Sequence, residues 1–180
     1  HDASLMASAS SDNTVALWDV TTGRRKHQLP VGTKFVQGVA FSPFEPRIVA
    51  TAAADLQIWT TSGDHLQTLP AQSPNSVFFS PFDEGQVMTF EYRAGLVSRW
   101  NFREQRKLME LTIPGAIRVF ACPFDPDIVA AVGRGCGVQF WSWSSEQCLS
   151  EIATPPEVET TTMAFFPDAG TLTKSAARVG

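Results

Sequence analysis

Short apolar phrases alternate with short polar turns along almost the whole chain. Val36-Gln-Gly-Val-Ala-Phe-Ser42 alternates and stops at Pro43, and Arg47-Ile-Val-Ala-Thr-Ala-Ala53 is a run of small and branched residues. Leu56-Gln-Ile-Trp-Thr60 follows, then the more polar His65-Leu-Gln-Thr-Leu69. Period-two alternation bounded by Gly, Pro, Asp and Ser predicts four antiparallel strands joined by hairpins. The order recurs in Ser76–Ser80, Gln86–Phe90, Leu96–Trp100 and Lys107–Leu111. It recurs again in Ala116–Phe120, Ile128–Val132, Val138–Trp141 and Gln147–Ile152. At the front, Leu5–Ser10 and Thr14–Val20 belong to a unit lacking its first strand; at the back, Thr162–Phe166 and Thr171–Lys174 begin another. Residues 103–110 are the best helical candidate, but the register of the repeat makes them a turn and an outer strand.

The predicted third strands share a mark. Trp18, Trp59, Trp100 and Trp141 stand 41 residues apart, and Trp143 is the only other tryptophan. A period of about 40–45 residues with four strands per unit is that of β-propeller blades. The units fall at about 1–30 (partial), 31–70, 71–113, 114–153 and 154–180 (partial). The expected fold is therefore all-β, a partial ring of about four to five four-stranded blades. Side-chain size agrees with blades that diverge from an axis. Ala50, Ala52, Ala130 and Ala131 suit the narrow inner gap, and the indoles fill the wider outer gap at interior packing density. Trp143 alternates to the same side as Trp141 and reads as blade packing.

Composition narrows the function classes. A 43% hydrophobic content supports a core across 180 residues, and a net charge of −4 gives no electrostatic reason to expect nucleic acid or an anionic membrane. No apolar run approaches a membrane-spanning length and no signal-peptide pattern occurs. Cys122, Cys136 and Cys148 form no CxxC pair and read as thiols of a reducing, cytoplasmic compartment. The start at His1 suggests a piece of a longer chain. An open arc would leave apolar blade faces bare, at a cost on the order of 10 kcal/mol, so the rest of the ring is expected from the same chain or a partner.

No catalytic motif, metal-ligand spacing or cofactor loop is present, so the expectation is no enzyme, no cofactor and no metal. His27 and His65 fall on outer strands, where a solvated side chain is the ordinary state. Gly133-Arg-Gly-Cys-Gly137 has the glycines of a phosphate loop but no following helix to supply free amides. Cys136 within it has no sequence neighbour that would lower its pKa, and Arg106-Lys107 reads as the charged end of a hairpin.

Ser11-Asp12-Asn13-Thr14-Val15-Ala16-Leu17-Trp18-Asp19 resembles the end of a WD40 repeat, and Phe41-Ser42-Pro43 and Phe79-Ser80-Pro81 resemble the end of that repeat's first strand. The resemblance covers almost the whole chain and implies a WD40-type β-propeller with degenerate repeats. The other units read Trp59-Thr60, Trp100-Asn101 and Trp141-Ser142, and none carries the family's Gly-His pair. Asp12 matches the family's turn aspartate, and Asp55 does so only with a turn two residues shorter. The family's Trp–Ser/Thr–His–Asp network is therefore expected to be incomplete, with apolar packing carrying the blades. The turns Pro43-Phe-Glu-Pro46, Pro81-Phe-Asp-Glu84 and Pro123-Phe-Asp-Pro126, with Ile128 to Trp141, also loosely resemble microtubule-associated and ciliary WD-repeat proteins.

What remains is surface recognition. The connections from fourth to first strands and the turns from second to third strands share one face. They carry Lys34, Phe35, Tyr92, Arg93 and Arg134, then Pro155, Pro156 and Glu157. Tyr and Arg bury area while keeping a polar end, as interface anchors do. The resemblance implies a non-catalytic scaffold in a multiprotein assembly of the cytoplasm, cytoskeleton or ciliary axoneme. The alternative it implies is a substrate adaptor, as in ubiquitin ligases, binding short peptides through Arg93 and Arg134.

Overall fold

The computed structural model describes residues 4–133, 137–154, 163 and 165. The chain forms two compact units, His1–Thr112 and Ile113–Gly180. The first unit holds three sheets. Strands β1 (Leu5–Ala9), β2 (Thr14–Asp19) and β3 (Arg25–Pro30) form a three-stranded sheet. A four-stranded sheet follows, of β4 (Gly38–Phe41), β5 (Ile48–Ala52), β6 (Leu56–Thr60) and β7 (His65–Leu69). The third is β8 (Ser76–Phe79), β9 (Gln86–Glu91), β10 (Leu96–Asn101) and β11 (Arg106–Thr112). The second unit holds one sheet, β12 (Ala116–Ala121), β13 (Ile128–Gly133), β14 (Gly137–Ser142) and β15 (Cys148–Ile152). Each is an antiparallel meander in chain order, the form of a propeller blade, and no helix occurs among the described residues.

The expected strands agree with these bounds to within two residues. The largest difference is at Val36 and Gln37, expected in a strand and found in the connection before β4. Their amides donate to Ser10 O and Ala52 O in single bonds instead of a ladder. Residues 103–110 are a turn and an outer strand, as the repeat required. The final partial unit, from Thr162 on, lies outside the described residues apart from 163 and 165.

In the first unit the sheets stack through alternating side chains. Trp59 and Val49, with Val39 and Phe41 beside them, join Val15, Leu17 and Leu29 of the first sheet in one cluster. The other face of the second sheet carries Ile48, Ala50, Ala52, Leu56, Ile58 and Leu69 and meets Val77, Phe79, Val87, Trp100 and Phe102 of the third. Each buried indole is thus clamped against the preceding sheet, where a filled wedge contributes about 1.5–3 kcal/mol per large side chain. Trp59 and Trp100 are 4% and 3% exposed. Trp18 and Trp141 are half-buried; Trp143, expected on the same strand as Trp141, lies in the turn just past β14 and is buried there.

The four sheets share backbone detail below the level of sequence. The register between third and fourth strands shifts just before each indole, between Leu17/Trp18, Ile58/Trp59, Arg99/Trp100 and Phe140/Trp141. This bulge leaves Lys26, Leu66, Leu108 and Leu149 without a register partner and sets Arg25, His65, Lys107 and Cys148 opposite the rings. His65 meets Trp59 edge-on at 4.8 Å, and the Lys107 ammonium lies 4.9 Å from the Trp100 ring centre. The residue two beyond each indole also makes one constant bond. Val20, Thr61, Phe102 and Trp143 donate their amides to the carbonyls of Ser4, Arg47, Gly85 and Asp127, ahead of each second strand.

Polar bonding is richer than the missing Gly-His pair led us to expect. Trp18 Nε1 donates to Ser8 Oγ at 2.8 Å, Trp59 Nε1 to Thr51 Oγ1 at 3.2 Å and Trp100 Nε1 to Thr89 Oγ1 at 3.0 Å. The hydroxyl sits two residues beyond the indole's cross-strand partner, on the same face. In the fourth sheet that position is Ala131, and Trp141 Nε1 turns to Gln139 Oε1 at 3.0 Å, directly across from it. The indole–hydroxyl half of the family network survives in three sheets and is replaced in the fourth.

Candidate protein-interaction face

The connections divide by sheet end. At the end carrying the 1–2 and 3–4 turns, the residue after each indole caps the following turn. Asp19 Oδ1 accepts the Thr22 amide, Thr60 Oγ1 the Asp64 amide, Asn101 Oδ1 the Arg103 and Glu104 amides, and Ser142 Oγ the Ser145 amide. A side-chain oxygen is what this position needs, so Thr, Asn and Ser stand in for Asp. The hydrogen bonds from Thr22, with the Lys26 ammonium 3.0 Å away, hold the Asp19 carboxyl down at about 2. Ser42 and Ser80 cap the 1–2 turns in the same manner, each accepting two amides. Phe44 and Phe82 beside these caps are 44% and 40% exposed. Arg103 bridges the Glu45 and Glu84 carboxylates, which raise its pKa.

The other end of the first unit carries the sequence-predicted residues. Lys34 and Phe35 lie in the β3–β4 connection, and Tyr92 and Arg93 in the β9–β10 turn, all four exposed. Phe35 is 65% and Tyr92 45% exposed. Lys34 Nζ donates to Ser73 Oγ at 2.9 Å. Asn75 Nδ2 donates to Gln37 Oε1 at 2.8 Å, and Asn75 Oδ1 accepts the Tyr92 amide at 2.6 Å. Asn75 thus ties two sheets' connections together, and its own amide is fixed on Phe90 O. Thr33, Lys34, Phe35, Gln37, Ala53 and Ser73 line a shallow cavity of about 280 Å³. Asp12 Oδ1 takes the Thr14 amide and hydroxyl, a turn cap that lowers its pKa, and Asn13 beside it has φ +70°.

The structure brings Lys34 and Phe35 together at one cavity and links Gln37 of that cavity to Tyr92 through Asn75, while Arg93 is exposed in the same turn as Tyr92. Arg134, Cys136 and Pro155–Glu157 lie outside the described residues. Gln37, Ser73 and Asn75 escaped sequence reasoning because polar loop residues read as solvated. Their signal was spacing: Lys34–Ser73 and Gln37–Asn75 are 39 and 38 residues apart, close to one repeat. Cys122 and Cys148 are both free thiols. Among the described residues no group of three His, Cys, Asp or Glu side chains could hold a metal, and no helix is long and apolar enough to cross a membrane.

No family model matches the chain. It is similar to the anaphase-promoting complex subunit cdc20 of Dictyostelium discoideum, 27% identical over 78% of this chain and 30% of that protein. It is similar to cilia- and flagella-associated protein 52 of Chlamydomonas reinhardtii, 27% identical over 81% of this chain and 24% of that protein. A third relative, WD repeat-containing protein slp1 of Schizosaccharomyces pombe, is 26% identical over 76% of this chain and 30% of that protein. The chain therefore spans about a quarter to a third of the length of these relatives. The 41-residue indole period and the blade-type meanders give the chain the all-β architecture of a partial WD40-type β-propeller with degenerate repeats, and its similarity to WD-repeat proteins such as slp1 agrees with that fold.

Proposed function

We propose that the chain is a non-catalytic scaffold segment that docks other proteins of a multiprotein assembly through the connections carrying Lys34, Phe35, Tyr92 and Arg93. One observation carries this reading: two exposed aromatic rings stand on loops whose polar groups are already bonded to one another. Loops fixed in advance lose little ordering entropy on binding, so aromatic area converts more fully into affinity. The names of the cdc20 and flagella-associated relatives support an assembly role, and the second favours a ciliary or microtubule setting. The adaptor reading, with Arg93 gripping a short peptide, draws its support from the anaphase-promoting complex relative.

Proximity labelling in ciliated cells tests the proposal, comparing the wild type with two double variants. Phe35→Ser/Tyr92→Ser should lose a specific set of neighbours, while Phe44→Ser/Phe82→Ser at the opposite sheet end should keep it. Equal neighbour sets in all three would reject the face. Loss of ciliary neighbours from the first double variant alone would favour the ciliary reading over the adaptor.

A further inference from the structure

The chain contains three Ser-Pro dipeptides and one Thr-Pro: Ser42-Pro43, Ser73-Pro74, Ser80-Pro81 and Thr154-Pro155. Ser42 and Ser80 are 2% and 5% exposed, with their hydroxyl oxygens engaged as turn caps. The Thr154 hydroxyl is buried as well. Ser73 differs in its exposure and in its hydroxyl's partner, an exposed cation and not turn amides. It lies in the β7–β8 connection, half-exposed, on a backbone with φ +52°, a strained conformation for a residue with a Cβ. Its amide makes one bond, to Ala54 O at 2.9 Å, and its hydroxyl faces a cation, with Lys34 Nζ 2.9 Å away. The two residues share the open cavity of about 280 Å³.

We propose that Ser73 is a phosphorylation site for a proline-directed protein kinase, with Lys34 as the counter-ion that holds the phosphate. The Ser73 hydroxyl oxygen attacks the γ-phosphorus of ATP, the bond to the ADP oxygen breaks, and the hydroxyl proton passes to the kinase's base. The product adds about −1.5 to −2 of charge and three strong acceptor oxygens beside an ammonium. That charge offsets the cations Lys34 and Arg93 on the face where Phe35 and Tyr92 are exposed. A consequence for partner choice rests on the docking reading above; the modification itself does not.

The test incubates the folded full chain with magnesium, ATP and a proline-directed kinase, beside synthetic peptides spanning Ser42, Ser73 and Ser80. The intact mass should rise by a single phosphate that peptide mapping places on Ser73, and Ser73→Ala should take none. The free peptides should all accept phosphate, which separates shielding by the fold from kinase preference. Titration of the phosphoserine by ³¹P NMR should show its second ionisation moving to higher pH in Lys34→Ala, because the cation favours the dianion. A folded chain that stays unmodified at Ser73, or phosphate on Ser42 or Ser80 instead, would overturn the site. An unchanged ³¹P midpoint in Lys34→Ala would overturn the role of Lys34. Docking, by contrast, fails or stands on the Phe35/Tyr92 variants in unmodified protein.

Discussion

The third and fourth sheets solve one problem in two ways. In β8–β11, Trp100 is buried and its ring nitrogen bonds Thr89, itself 3% exposed. In β12–β15, the same position on the neighbouring strand is Ala131, and the half-buried Trp141 bonds Gln139 on its own strand. A hydroxyl on the next strand ties two strands together, whereas an amide two residues back ties a strand only to itself. The indole in the third sheet is therefore a cross-strand fastener, and that in the fourth is mainly a filler.

The largest test of this contrast is removal of the rings. Trp100→Ala should destabilise the chain by about 3–5 kcal/mol, the range for a fully buried aromatic, and Trp141→Ala by clearly less. Urea denaturation followed by circular dichroism reads both, and equal losses would erase the distinction. Next is the bond itself. Thr89→Val keeps the shape but leaves a buried ring nitrogen without an acceptor, at about 1–3 kcal/mol. Gln139→Ala should cost less, because water can reach a half-buried indole.

A smaller effect compares the 3–4 turns. Gly23 and Gly63 hold positive φ in the first two sheets, and Gln105 and Glu146 hold φ +54° and +56° in the last two. A side chain there costs roughly 1–2 kcal/mol relative to a relaxed backbone, partly offset by the chain entropy of glycine. Glu146→Gly and Gln105→Gly should each raise the thermal midpoint slightly, and Gly23→Ala should lower it.

The smallest effect separates Asp19 from Thr60, Asn101 and Ser142, its neutral counterparts as turn caps. Its folded pKa of about 2 lies below the ordinary 3.8. Stability from this group is fully present above pH 3.8 and is lost as pH falls through about 2. Unfolding free energy followed from pH 5 to 2 should flatten measurably in Asp19→Asn. An unaltered pH profile in that variant would show the cap to be inert.

How far the chain could be read without coordinates depended on where the cause lay. The indole period and the alternating strands were plain, because burial on one face forces a side-chain rhythm that survives substitution. The job of the residue after each tryptophan was hidden, since Asp, Thr, Asn and Ser look unrelated until each is seen accepting a turn amide. Thr51 and Thr89 as indole partners required the strand register, which no single strand states. Cys122 occupies the place of the capping Ser42 and Ser80, and its amide still donates to Ile128 O, so the turn persists without the hydroxyl. Of the proposed interaction face, the exposed Lys34, Phe35, Tyr92 and Arg93 were legible as loop residues. The Gln37–Asn75 link was not, being a meeting of two loops one repeat apart.

The amide bond two residues beyond each indole explains how such dissimilar units persist side by side. Because both partners are main-chain groups, the clasp accepts an exposed valine, a threonine, a phenylalanine or a tryptophan without loosening. The main chain there sets no limit on residue type: an exposed position such as Val20 is free to drift over generations, whereas Phe102 and Trp143 are held by their burial and not by the clasp.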